Sequence, residues 1–183
     1  MVFKKFNFGP ASQNERIVYG SQKPGFSQQD IEEWVRFMLD HDIKRVCCLL
    51  DPSQLRSYSL NLGSAYDKHF GKGNICMEPI SDYHLCEATA LHEKILPFLR
   101  ESDESECPAV VHCWSGNGRT GHILAAWLVA ARGLDPMQAI TTVEDTGRNP
   151  REAVDHGNAT LEELLQLLAS CTSQGAVRQP GRT

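Results

Sequence analysis

The sequence predicts an α/β domain with a mostly parallel central sheet flanked by helices. Three observations carry that expectation. Short, continuous apolar runs, KRVCCLL (Lys44–Leu50) and PAVVHC (Pro108–Cys113), have the length of strands buried on both faces. Between and after them lie stretches with apolar residues at helical spacing and identifiable caps. Strands that alternate with helices build βαβ units, and such units give parallel sheets.

In chain order, ERIVYG from Glu15 reads as a first strand, and Lys23-Pro24-Gly25 turns the chain. Ser27 and Asp30 make a capping-box-like start to a helix running toward Asp40. Its Ile31, Trp34, Val35 and Met38 form a one-sided apolar stripe. After the strand at Lys44–Leu50, NICMEPI (Asn74–Ile80) is a weaker strand that Pro79 should end. ALHEKILPFLRE is helical in pattern, with Pro97 expected to kink or end it. Following the strand at Pro108–Cys113, HILAAWLVAAR is an apolar helix stopped by Gly133. Asp135-Pro136 begin the helix PMQAITTVED, and Thr160 with Glu163 begin LEELLQLL. Residues 1–14 are expected as a lead-in, 15–170 as the domain, and 171–183 (CTSQGAVRQPGRT) as a loose polar tail.

A chain of 183 residues suits one domain, and 41% hydrophobic with 22% charged residues is an ordinary globular balance. A net charge of −5 offers no general attraction to nucleic acid or anionic membrane, so neither is expected as a partner. No apolar run nears the roughly 18 residues of a membrane span. MVFKKFNFGP lacks the apolar core of a signal peptide, Val2 breaks the myristoylation pattern, and QPGRT is no prenylation box. A cytoplasmic location is the expectation; the oligomeric state is not legible. The seven cysteines show no paired zinc-finger spacing and no C-x-x-C, so they read as reduced thiols, most of them small core residues.

The chemistry concentrates in VVHCWSGNGRTGHI (Val110–Ile123). Gly116 to Gly121 fits the G-x-G-x-x-G dinucleotide pattern, but the loop comes late, after at least two strands. The acidic residues at the right distance, Glu144 and Asp145, sit in a helix, and that reading gives Cys113 and Arg119 no role. Cys113 and Arg119, separated by five residues, make a second pattern, for which about 0.4 chance matches are expected in a chain like this. Context strengthens it. The cysteine ends a buried strand, glycines lie in the loop, and Thr120 follows the arginine just before a helix. Such a loop can aim several backbone N–H groups, and a helix dipole, at one anion. Gly116 and Gly118 allow the tight curl, Arg119 supplies a bidentate clamp, and Thr120 can donate to the sulfur. His112 is either a satisfied core histidine or a group that orients the loop and eases thiolate formation.

The segment VVHCWSGNGRTG closely resembles the phosphate-binding loop of the cysteine-dependent protein tyrosine phosphatases. IVYGSQKPG, ARGLDPMQAI and RNPREAV are similar to the dual-specificity branch, so the resemblance spans residues 15 to 170, with only the loop highly specific. It implies a phosphocysteine intermediate on Cys113, phosphate held by Arg119 and the Trp114, Ser115, Gly116, Asn117 and Gly118 backbone, and no metal or cofactor. It also implies a general acid upstream, and EPISDYHLC places Asp82 there, with Ser81 where small dual-specificity members carry proline. Asp67 and Asp103 are weaker candidates. The implied substrate is a phosphoprotein, and the implied pH profile is bell-shaped on the acidic side of neutral. No lysine lies in the loop, which disfavours a phosphoinositide headgroup, and no basic run lies near it, which disfavours an RNA 5′-phosphatase. A phosphate-binding module without turnover is the rival from another class. Trp114 is expected to pack beneath the loop; Arg148 and Arg151 are minor candidates for a second substrate charge, and Asn158 is a minor candidate for placing water. Cys48 is the candidate partner for an oxidised Cys113.

Overall fold

The computed structural model describes residues 5–172. After a 3-10 turn at Lys5–Asn7 come β1 (Gly9–Pro10), β2 (Val18–Gln22), α1 (Gln28–Asp40) and β3 (Arg45–Cys48). Then follow α2 (Pro52–Leu55), α3 (Leu62–Phe70), β4 (Ile75–Met77), α4 (Ala88–Ala90), a π turn at Leu91–Ile95 and α5 (Leu96–Glu104). β5 (Ala109–Cys113), α6 (Gly118–Arg132), α7 (Pro136–Glu144), α8 (Glu152–Asp155) and α9 (Leu161–Ala169) complete the chain order. One sheet forms in the order β1-β2-β5-β3-β4, with β1 antiparallel to β2 and every other pairing parallel. The mostly parallel α/β sheet expected from the apolar runs is what these residues build.

The alternation of strand side chains sorts the core into two layers. Val46, Cys48 and Val110 pack with Ile31, Trp34, Val35 and Met38 of α1 and Tyr66 of α3. Cys47, Ala109, Val111 and Cys113 join the opposite layer with Leu124 and Trp127 of α6. Gly118 through Ala130 are all buried, as befits a helix apolar on every face. β5 lies in the middle of the sheet, so the turn joining it to α6 is held on both sides.

The capping boxes at Ser27/Asp30 and Thr160/Glu163 form, and Asp135 caps α7 with Gln138 as its reciprocal partner. Pro97 does not end its helix. It sits in the first turn of α5, and the shift of the hydrogen-bond ladder is taken up one turn earlier, at Leu91–Ile95. Residues 5–14 are not a mere lead-in. Gly9 and Pro10 pair with Gly20 and Tyr19, Ala11 is buried, and Phe8 stacks on Tyr19 at 5.2 Å. A two-residue strand carries no readable periodicity. Of the expected tail, Cys171 is buried with the α6 layer, while residues 173–183 lie outside the described residues. No helix among the described residues is long and apolar enough to cross a membrane.

Candidate active site

Between Cys113 and α6 the loop turns its carbonyls outward, and each is held there. Trp114 O accepts from Lys23 N at 3.3 Å, Ser115 O from Asn7 Nδ2 at 3.1 Å, and Asn117 O from Gly121 N at 2.7 Å. Gly116 O accepts from Arg148 Nη1 at 2.9 Å. A trans peptide directs its N–H opposite to its C=O. The amides of Ser115, Gly116, Asn117 and Gly118 therefore turn inward, and none of the four has a hydrogen-bond partner among the described residues. With the positive end of the α6 dipole behind them they form a cradle for an anion. Gly116 is required for this curl: its φ is +72°, and a Cβ there would overlap the Ser21 carbonyl. Gly118 serves differently from expectation. It has no positive φ, but a Cβ would collide with the Glu152 side chain packed against it.

Cys113 is buried at the carboxyl end of β5, and Thr120 Oγ1 donates to its sulfur at 3.1 Å. His112, one residue earlier, points to the other face. Its Nε2 meets Tyr66 Oη at 3.0 Å, and its ring packs edge-on to Trp34. Burial pushes its pKa down to about 3, so the ring is neutral and adds no charge to the site. It braces the strand against α1 and α3. A second buried histidine escaped the sequence reading. His122 Nε2 accepts from Cys86 N at 3.1 Å while Nδ1 meets Gly118 O at 3.3 Å, tying the Asp82 segment to the start of α6.

Arg119 is buried to within 2% and heavily engaged on one edge. Nη1 donates to Ile80 O at 3.0 Å and to Gln54 Oε1 at 2.8 Å, and Nη2 pairs with Asp82 Oδ1 at 2.8 Å. Nε is buried without a partner. A buried, unpaired N–H beside a cradle of unpaired amides is the donor a bidentate oxyanion would take. Asp82 is thus placed at the site. Gln54 Nε2 donates to its Oδ2 at 3.3 Å. Tyr83, next in line, adopts φ +59°, its carbonyl accepts from Asn158 Nδ2 at 3.0 Å, and its ring stacks on His156. Asn158 therefore holds the Asp82 segment, a different task from placing water.

Several expectations are corrected. Trp114 does not pack beneath the loop. It is 40% exposed, beside Phe26 at 5.6 Å between ring centroids, with Lys23 Nζ 4.4 Å from its ring. The inward alternation of β5 ends at Cys113, and the loop carries Trp114 outward. Arg148 meets no second substrate charge, because it is buried and donates to the carbonyls of Gly116, Asn7, Gly9 and Gly20. Arg151 pairs with Glu144 on α7. Asn117 anchors the loop through Glu152 Oε1 and Asn149 N. Cys48 shares the face of its register partner His112, in the layer opposite Cys113, and burial pushes its thiol up to about 12. It is poorly placed to trap an oxidised Cys113. Gln54 was missed, although Asp51-Pro52-Ser53-Gln54 carries a capping-box signal directly after β3.

Comparison with known proteins agrees with this geometry. Residues 19–133 match the family described as "Tc-R-P: Polymorphic toxin system, DSP-PTPase phosphatase". The structure is similar to that of Tk-PTP in its active form, with a TM-score of 0.64 and 25% identity over 86% of this chain and 97% of that one. PTPMT1 in complex with PI(5)P shares the fold at TM-score 0.64 and 15% identity, over 90% of this chain and 96% of that one. So does TpbA of P. aeruginosa in complex with pTyr, at TM-score 0.54 and 17% identity, over 92% and 94% of the two chains.

Proposed function

This chain belongs to the DSP-PTPase phosphatase family, and from that premise we propose that it dephosphorylates proteins at tyrosine through a phosphocysteine on Cys113, with phosphoserine and phosphothreonine as lesser substrates. One observation carries the reading. A sulfur that accepts from Thr120, four unpaired inward amides and the unpaired Nε of Arg119 converge at the end of one buried strand. In the first step Cys113 Sγ attacks phosphorus, the S–P bond forms and the P–O bond to the substrate breaks. Asp82 gives its proton to the departing oxygen. In the second, Asp82 takes a proton from water, the water oxygen bonds to phosphorus, and the S–P bond breaks to return the thiolate. The amides and Arg119 hold the equatorial oxygens throughout, stabilising the charge that spreads over them.

Tyrosine is put first because Trp114 and Phe26 are both exposed beside the nucleophile, offering aromatic faces to a phenyl ring. A multiply charged headgroup is disfavoured. Lys23, whose ammonium lies 4.4 Å from the Trp114 ring, donates to the Pro24 carbonyl and packs on the Phe26 ring. The test is turnover of p-nitrophenyl phosphate in EDTA by the wild type and by Cys113→Ser. Activity that survives the chelator and disappears in the variant is the expected result. Activity retained by Cys113→Ser would remove Cys113 as the nucleophile, and no wild-type turnover would leave a phosphate-binding module.

A further inference from the structure

Gln54 is the side chain at this site for which neither the sequence patterns nor the proposed chemistry supplies a role. It projects from α2, a short helix that starts where β3 ends, and its position is doubly fixed. Asp51 caps the helix by accepting from Gln54 N at 3.1 Å, and Gln54 Oε1 takes Asp51 N at 3.4 Å in return. From there the carboxamide divides its two ends between two site residues. Oε1 accepts from Arg119 Nη1 at 2.8 Å, and Nε2 donates to Asp82 Oδ2 at 3.3 Å.

This division suits a carboxamide and few other groups. An arginine offers only donors and a carboxylate only acceptors, so a single link between them must accept at one end and donate at the other. Glutamate in this position would satisfy Arg119 but set a second carboxylate against Asp82. Leucine would contact neither polar group. The contact also sets which edge of the guanidinium is free. Gln54 and the Ile80 carbonyl both accept from Nη1, which leaves Nε as the guanidinium nitrogen without a partner.

We propose that Gln54 is a positioning residue that couples the phosphate clamp to the general acid, holding the Asp82 carboxyl over the bound phosphate by hydrogen bonds to both Asp82 and Arg119. The inference rests on the reading of Asp82 as the acid. It predicts an effect on protonation of the leaving oxygen, beyond any loss of phosphate affinity. A leaving group that departs readily without a proton should hardly sense Gln54, and a basic one should sense it strongly.

The experiment compares kcat/KM for p-nitrophenyl phosphate and phenyl phosphate in wild type, Gln54→Leu and Gln54→Glu, each also in an Asp82→Ala background. Gln54→Glu is the informative variant. It retains the capping box and the acceptor for Arg119, while the donor facing Asp82 becomes an acceptor and the site gains a negative charge that bears on both substrates alike. Its urea midpoint should stay near that of the wild type, whereas Gln54→Leu can lose the cap. Both variants should lose roughly tenfold more on phenyl phosphate than on p-nitrophenyl phosphate, a part of the 10²–10⁴-fold typical of a positioned acid. In Asp82→Ala, where no acid remains to be held, the additional leaving-group sensitivity should vanish. An equal loss on both substrates, or the same added sensitivity without Asp82, would overturn the proposal. Wild-type turnover abolished by Cys113→Ser in the same series would show that the phosphatase reading itself still stands.

Discussion

Acidification from pH 7.5 to pH 5 should weaken the fold through His112 and His122. Both are buried, and burial holds their pKa values down, to about 3 and about 4 respectively. The unfolded chain exposes them at about 6.5. Both states are neutral above that value, so the full stability is present there. As pH falls below 6.5 the unfolded chain takes up protons that the folded one refuses, and stability is lost until the folded pKa values are reached. At pH 5 the difference is about 1.5 pH units, or about 2 kcal/mol per histidine and about 4 for the pair. That is a large share of a typical total of about 5–15 kcal/mol. Urea unfolding at the two pH values measures it. His122→Gln gives the discriminating case, because a carboxamide can accept from Cys86 N and donate to Gly118 O without titrating. The variant should lose about 2 kcal/mol less than the wild type between pH 7.5 and 5. A loss equal to that of the wild type would show that His122 does not titrate on unfolding in this range.

Two more outcomes follow from the loop's supports. Arg148→Met strands the carbonyls of Gly116, Asn7, Gly9 and Gly20, and should cost about 3 kcal/mol or more in urea unfolding. Competitive inhibition by inorganic phosphate should weaken with it, and unaltered inhibition would mean that the cradle does not depend on Arg148. Mild peroxide, followed by mass spectrometry, should overoxidise Cys113 without a Cys113–Cys48 crosslink, because Cys48 lies in the opposite layer with a fully protonated thiol. A crosslink in the folded protein would show that the two sulfurs can meet.

What the sequence revealed about the fold was local. Continuous apolar runs located β3 and β5, and capping boxes located the starts of α1 and α9, because each signal lies within a few residues. The site was legible where its parts are contiguous, as with Cys113, the loop glycines, Arg119 and Thr120. It became obscure where a part arrives from a distance. Gln54 meets Arg119 across 65 positions, and nothing in a capping box announces which side chain it will touch. Arg148 shows the same difficulty in sharper form. A charged residue near a proposed site reads as a ligand for charge, yet its burial and four carbonyl partners are properties of packed backbone. Trp114 was misjudged because hydrophobicity alone does not say where a strand's alternation stops.

The arginine strut also has a consequence for biosynthesis. Arg148 joins Gly116 to Asn7, a residue 141 positions upstream of it, and Asn7 itself holds Ser115 and Gly116. The chain's early and late parts must therefore both be in place before the loop after Cys113 acquires its shape. Contacts of such separation form late in folding, after loop closure has been overcome. A ribosome-bound chain that already includes Cys113 but has not yet exposed Arg148 would carry that sulfur without the finished cradle. The cradle would be finished only once Arg148 has emerged, well after the loop whose carbonyl it holds.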